Sequence, residues 1–283
     1  DEAEVIATTA RDIAVELNLT KMRGVLAAQL GTYLVARGRN EEAEALYLEA
    51  IQLQLDCGHE RGAAAAMGNL AQVLGEFGRL DEATSYAKRG IKIHQAWGDR
   101  RGRATLLMTL AGLEIRRERL EQALTLIDEA CPALLDVGYV RLAAVARMNR
   151  ATVRWALGQT DGLLQELQAV VDVQHATGDR LLEAMALGYL AARRACVGDL
   201  VGAREAWTSA DELLHGLFVV QAAGVLLLAR GFIELAEARA SSDPMVVVDR
   251  VASAREKAEH GQSSAVMGIH FLARLLAREL GMT

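Results

Sequence analysis

The sequence predicts an all-α solenoid of antiparallel helix pairs, and three observations carry that prediction. First, amphipathic segments recur with a constant spacing of 40 residues, a period that belongs to helical repeat arrays. Second, Asn18, Gly58, Gly98, Gly138 and Gly178 fall in register, as do Gly38, Gly78, Gly158 and Gly198, with Glu118 the exception. Glycine or asparagine just past a helix accepts the left-handed conformation that ends it. Third, small residues recur at a second phase: Gly31, Ala71, Ala111, Ala151, Ala191 and Gly231 in the first helix of each pair, and Ala3, Ala43, Ala83, Ala123 and Ala203 in the second. Two helices cross closely only where both lack bulk.

The elements follow in order. Asp1-Glu2-Ala3 matches Asp81-Glu82-Ala83, so residues 1–18 are expected to be the second helix of a truncated repeat, with the chain a fragment of a longer protein. Val5, Ile6 and Ile13 then lack their cover. Five helix-pair repeats fill 19–217, with hairpins at 20–56, 60–96, 100–136, 140–176 and 180–215. The fourth puts Arg150 where Leu30, Leu70, Leu110 and Leu190 sit, and Leu163 at the crossing place, and is expected to be the most distorted. The Arg150 stem either lies along the core with its guanidinium in water or places a cation on a groove wall. Pro132 should kink or stop the helix 120–136, because it lacks a donor and crowds the carbonyl of Asp128. A degenerate sixth repeat covers 218–261: Asp243 can cap a helix starting at Pro244, expected over 244–260 and ended by Gly261. Residues 262–283 supply a C-terminal capping helix for the open end of the stack.

The pattern Leu30-Gly31, Ala43, Tyr47, Ala50 and its counterpart Leu70-Ala71, Ala83, Ala87, Gly90 resemble the tetratricopeptide repeat family. The family's closing proline is absent, and 40 residues exceed its usual unit of about 34. The longer form, with turns such as Gly98-Asp99-Arg100-Arg101-Gly102, is similar to the repeats of bacterial signal-transducing ATPases of the maltose-activator type, and to those of kinesin light chain and spindle-orientation adaptors. The resemblance implies a right-handed superhelix whose first helices line the concave side.

Composition narrows the function. Aromatics are 4% against 52% hydrophobic residues, so the core is built from Ala and Leu. A net charge of −6 offers no footprint for nucleic acid. Cys57, Cys131 and Cys196 share no short spacing, which indicates neither a disulfide framework nor a thiolate metal site and makes cytoplasm the default. The apolar run from Leu217 to Ala229 falls short of the ~20 residues of a membrane span. His59, His94, His175, His215, His260 and His270 lie mostly near helix ends, without metal-ligand spacing or an evident carboxylate partner. Acidic pairs such as Asp81-Glu82 open helices, where the dipole favours them. With no nucleotide-binding motif either, the expectation is a protein that is not an enzyme and carries neither metal nor cofactor.

Binding has better candidates. Gln29, Asn69, Thr109, Asn149 and Tyr189 lie at one phase, two residues before the small-residue place. On the concave side that the resemblance implies, they form a polar ladder with rungs about 10 Å apart, able to pair with the backbone of an extended peptide. Met108, Met148, Gln72, Thr152, Arg116 and Trp155 share that broad face and would set specificity, Met and Trp by filling apolar pockets and Arg116 by holding a carboxylate; the alternatives are that Met108 and Met148 are ordinary core and that the ladder faces solvent in an empty groove. Two functions follow: an interaction scaffold in a larger cytoplasmic protein that holds a peptide or partner helix, or a ligand-sensing domain of a signal-transducing ATPase or transcription regulator. Neither nucleic acid nor membrane is an expected partner, whereas self-association through the truncated N-terminal end is compatible with the pattern.

Overall fold

The computed structural model describes residues 2–216, 219–262 and 267–282, and among them it holds helices and no strand. The helices are α1 (Glu2–Glu16), α2 (Thr20–Ala36), α3 (Asn40–Asp56), α4 (Glu60–Glu76), α5 (Leu80–Ala96), α6 (Arg100–Arg116), α7 (Leu120–Asp136), α8 (Val140–Ala156), α9 (Leu163–Thr177), α10 (Arg180–Cys196), α11 (Leu200–Leu214), α12 (Val220–Ala240), α13 (Pro244–Gln262) and α14 (Met267–Glu279). The glycines at the predicted stops have φ between 64° and 86°, and Asn18 and Glu118 join them at 53° and 62°. Glu118 pays the steric cost of that conformation because the turn itself is repeated: its N–H bonds the carbonyl of Ile115, as Gly78 N–H bonds Gly75. Two compact units result, Asp1–Tyr139 and Val140–Thr283.

In the first unit each helix pair packs internally, and the first helices of successive pairs, α2, α4 and α6, also touch one another. The crossing residues are buried: Gly31 faces the ring of Tyr47, while Ala71, Ala83, Ala111 and Ala123 are at most 1% exposed. The side chain of Ala3 lies outside the described residues. Replacing Ala83 by Leu should overpack the α4–α5 crossing and destabilise by ~1–3 kcal/mol. Chemical denaturation reads this directly, and an unchanged midpoint would show that the crossing lies elsewhere. Outside the core, the repeat builds a staple: Arg39 donates to Glu42 of its own helix and to Glu4 of α1, and Arg79 does the same to Glu82 and to Glu44 of α3. These pairs are exposed, so they contribute little stability but help fix spacing. On α1, Val5, Ile6 and Ile13 are exposed.

Pro132 does not end its helix. It is exposed, and Ile127, Ala130, Cys131 and Leu134 anchor α7 through to Asp136, so packing outweighs the lost backbone bond.

The second unit is more tightly closed. Its α9 starts at Leu163, after Gly162 at φ 72°, with Leu163 buried at the crossing place. Arg150 is partly exposed and ion-paired: it and Arg154 each bond Glu166 of α9 at 2.7 Å. Around α10, the rings of Trp155 on α8 and Phe232 on α12 come within 5.2 Å, and residues 182–192 are all buried. Asp243 accepts from Met245 N–H and opens α13 as predicted. Gly261, however, does not end that helix. It is buried inside it, where a Cβ would stand 2.7 Å from Ala273 and 2.9 Å from Leu228, so close helix approach is what requires glycine there. Helix α14 covers α12 and α13 and reaches back to α8, where Arg278 donates to the carbonyl of Ala156 at 2.9 Å.

Candidate ligand-binding groove

The space between neighbouring first helices of the first unit forms two clefts. The smaller, about 230 Å³, lies between α2 and α4 and is lined by Val25, Ala28, Gln29, Thr32, Gln54, His59, Gly62, Ala65, Ala66 and Asn69. Adding 40 to each number gives Ala65, Gly68, Asn69, Gln72, His94, Asp99, Gly102, Thr105, Leu106 and Thr109, every one of which lines the larger cleft between α4 and α6, of about 670 Å³. The groove is thus one site built twice, and the shared wall is α4.

The end of each cleft depends on a glycine. Gln54 and His94 are buried side chains at the ends of α3 and α5, and a Cβ on Gly62 or Gly102 would collide with them at 1.8 Å and 2.3 Å. Gln54 is satisfied by Gly24 O at 3.1 Å and by His59 Nδ1 at 3.1 Å. His94 Nδ1 meets Asp99 Oδ2 at 3.0 Å, while Asp99 Oδ1 caps α6 by accepting from Gly102 N–H at 2.9 Å. Arg61 closes the network on Asp99 at 3.2 Å. The histidines therefore do find partners, His94 in Asp99 and His175 in Glu183 at 2.8 Å, because the glycine turn folds the chain back on itself. The side chain of His270 lies outside the described residues.

Burial would raise the pKa of Asp99, but the Gly102 amide, His94 and Arg61 outweigh it and hold the carboxyl below its ordinary value. Burial lowers the pKa of His94, with Asp99 opposing, and burial with Lys21 and Arg61 lowers that of His59. A histidine whose folded pKa is depressed contributes stability that is complete above the unfolded value, about 6.5, and is lost as pH falls below it. The first unit should therefore weaken as pH falls below about 6.5. His94→Gln, which installs the residue found at Gln54, should flatten that slope in thermal melts taken across the range. An unchanged slope would mean that His94 does not couple folding to protons.

The wall carries the ladder. Asn69 Nδ2 donates to Thr32 Oγ1 at 3.5 Å and Gln72 Nε2 donates to Thr109 Oγ1 at 3.4 Å, the same pair of positions one repeat apart with donor and acceptor exchanged. Both are long and solvent-facing, so a ligand backbone can replace them at small cost.

Of the residues singled out from sequence, Gln29, Asn69, Gln72 and Thr109 come together here. Met108 does not: it is buried in the core behind α6. Arg116 is half-buried near Glu76 and lines neither cleft; burial lowers its pKa and Glu76 opposes. In the second unit Met148, Thr152, Trp155 and Tyr189 are core residues, and Asn149 is half-buried on α8. Burial pushes the Tyr189 hydroxyl up to about 12. The reason is the approach of α8 and α12 to α10, with α14 packed against α8 and α12, which closes the face that is open in the first unit. Sequence reasoning missed Arg61, His94, Trp97, Asp99, Arg101, Thr105 and Tyr139, all of which line the larger cleft. Their signal was the turn Gly98-Asp99-Arg100-Arg101-Gly102, read as a helix boundary and a mark of family resemblance although it also forms the cleft's end.

Residues 24–96, which span the smaller cleft and half of the larger, match the family model for the tetratricopeptide repeat. Those residues carry the tetratricopeptide repeat. No curated protein matches it in sequence. Among solved structures, it is similar to a Rap protein complexed with Competence and Sporulation Factor, with a TM-score of 0.65, 17% identity, and coverage of 93% of this chain and 74% of that one. It is also similar to a signal transduction ATPase with numerous domains and a tetratricopeptide repeat sensor from Pyrococcus horikoshii, at TM-score 0.67 and 15% identity, over 95% of this chain and 40% of that one. A third is the Rap conjugation gene regulator of the plasmid pLS20 in complex with the Phr* peptide, at TM-score 0.61 and 13% identity, over 94% and 76% of the two chains. These likenesses establish a shared tetratricopeptide-repeat fold.

Proposed function

We propose that this tetratricopeptide-repeat protein is an interaction module whose first unit holds an extended peptide along α2, α4 and α6. One observation carries the reading: all ten positions lining the smaller cleft recur, 40 residues on, in the larger one. A ligand that follows the groove meets polar side chains at corresponding positions at each step, Gln29 and Thr32 and then Asn69 and Gln72, which suits a polymer with its own repeat and does not suit a compact metabolite. Gln29, Asn69, Gln72 and Thr109 supply donors and acceptors to peptide groups. The role is binding, and the location consistent with three free cysteines is the cytoplasm. The solved Rap regulator bound to a peptide supports the ligand class. A second reading, the sensor of a signal-transducing ATPase, is favoured by the likeness to the Pyrococcus horikoshii protein, 40% of whose length is matched. Here the same groove would be the input site. The test is selection of peptides from a random library on the native chain, followed by calorimetry against the triple variant Asn69→Ala, Gln72→Ala, Thr109→Ala. Binding that is absent, or equal in the two proteins, would overturn the groove.

A further inference from the structure

The two clefts share a plan but not a chemistry, and the difference lies at three places. Along the chain, an arginine in the first turn of a first helix meets the residue 38 positions later: Arg61 pairs with Asp99 at 3.2 Å, and Arg141 pairs with Asp179 at 2.7 Å. Between these two, the partner of Arg101 is Tyr139, and the ion pair becomes a stack with the guanidinium carbon 4.3 Å from the ring centroid. At the helix end, Cys57 in the earlier repeat gives way to Trp97, which is 56% exposed and tethered by a 2.8 Å bond from its Nε1 to Glu60. Trp97, Arg101 and Tyr139 all line the larger cleft, and none of them lines the smaller. The floor below them is small or apolar, with Ala65, Gly68 and Leu106.

From this we infer that the larger cleft is a side-chain pocket selecting an aromatic residue of the bound peptide, seated among Trp97, the Arg101–Tyr139 stack and the Ala65–Gly68 floor. This rests on the groove reading and adds a specificity to it. A guanidinium stacked on one ring keeps its second face for another ring, and an indole held by its N–H presents a fixed apolar plate, so a flat side chain gains from both. The smaller cleft, about a third of the volume and without these plates, passes the neighbouring backbone with no such demand.

The repeat supplies the test variants. Trp97→Cys installs the residue at Cys57, and Tyr139→Asp restores the Arg–Asp pair seen at Asp99 and Asp179, so each substitution uses chemistry the fold already accepts. Acetylated and amidated random peptides of about eight residues, long enough to cross two clefts about 10 Å apart, are selected on the wild-type chain and on the double variant. Wild type should enrich Trp, Tyr or Phe at one position, and the double variant should lose that preference. Resynthesised peptides should show a roughly tenfold loss of affinity when that residue is aromatic, and no loss when it is alanine. If Tyr139→Asp disturbs folding, the single exposed change Trp97→Cys reads the same loss in part. No residue preference in the wild-type pool, an aromatic preference that persists in the variants, or enrichment of Asp and Glu in its place would each overturn the aromatic pocket. Selected peptides that still lose affinity on the Asn69, Gln72 and Thr109 triple change would leave the groove standing in those cases. Peptides insensitive to that triple change would overturn both readings.

Discussion

Replacing Phe232 by alanine is expected to destabilise the second unit by ~3–5 kcal/mol, the largest stability loss of any single change considered for this chain. Phe232 is 2% exposed, and its ring lies 5.2 Å from that of Trp155 on a helix two pairs away. Truncation removes transfer energy and an aromatic contact, and it leaves a cavity bordered by α8, α10 and α12 whose small side chains cannot collapse into it. Urea denaturation should show a lower midpoint with an unchanged slope, and melting of this unit should drop by roughly 10 °C or more. A loss below about 1 kcal/mol would mean that the ring is not the keystone between α8 and α12. Because Phe232 lies in the second unit, peptide binding by the first should persist at temperatures where both are folded.

The second large effect is on binding. Removing the side-chain donors and acceptors of Asn69, Gln72 and Thr109 together should weaken peptide affinity by roughly tenfold to a hundredfold, counting about 1 kcal/mol net for each bond and less than full additivity between neighbours. Stability should change by less than ~0.5 kcal/mol per site, since the bonds they now make, at 3.4 and 3.5 Å, are long and exposed. That separation is what the experiment uses. A triple variant that melts with wild type yet binds weakly assigns the loss to the groove, whereas equal binding moves the ligand off it.

The sequence alone determined the helices and their order, because periodicity is a local property. The glycines that recur every 40 residues, with Asn18 and Glu118 in two of the places, mark where helices end, and Ala83 and Ala123 mark crossings. It also placed Gln29, Asn69, Gln72 and Thr109 on one face, which the first unit keeps open. The same phase arithmetic put Tyr189, Thr152 and Trp155 there too, and the tertiary structure buried them. Whether a face is groove or core depends on how closely non-neighbouring helices approach, and that is set by pairs such as Trp155 and Phe232, 77 positions apart, which no local pattern couples. The partners of His94 and Arg150 escaped for a related reason: each lies across a turn, where the return of the chain decides which groups meet. Gly261 shows the converse, a residue read as a helix stop whose true cause is a neighbour, Ala273, that only packing brings within reach. Period and hydrophobic phase act within a repeat and could be read from the chain. The boundary between an open cleft and a filled one is a balance of long-range packing and conformational entropy, and only the folded molecule strikes it.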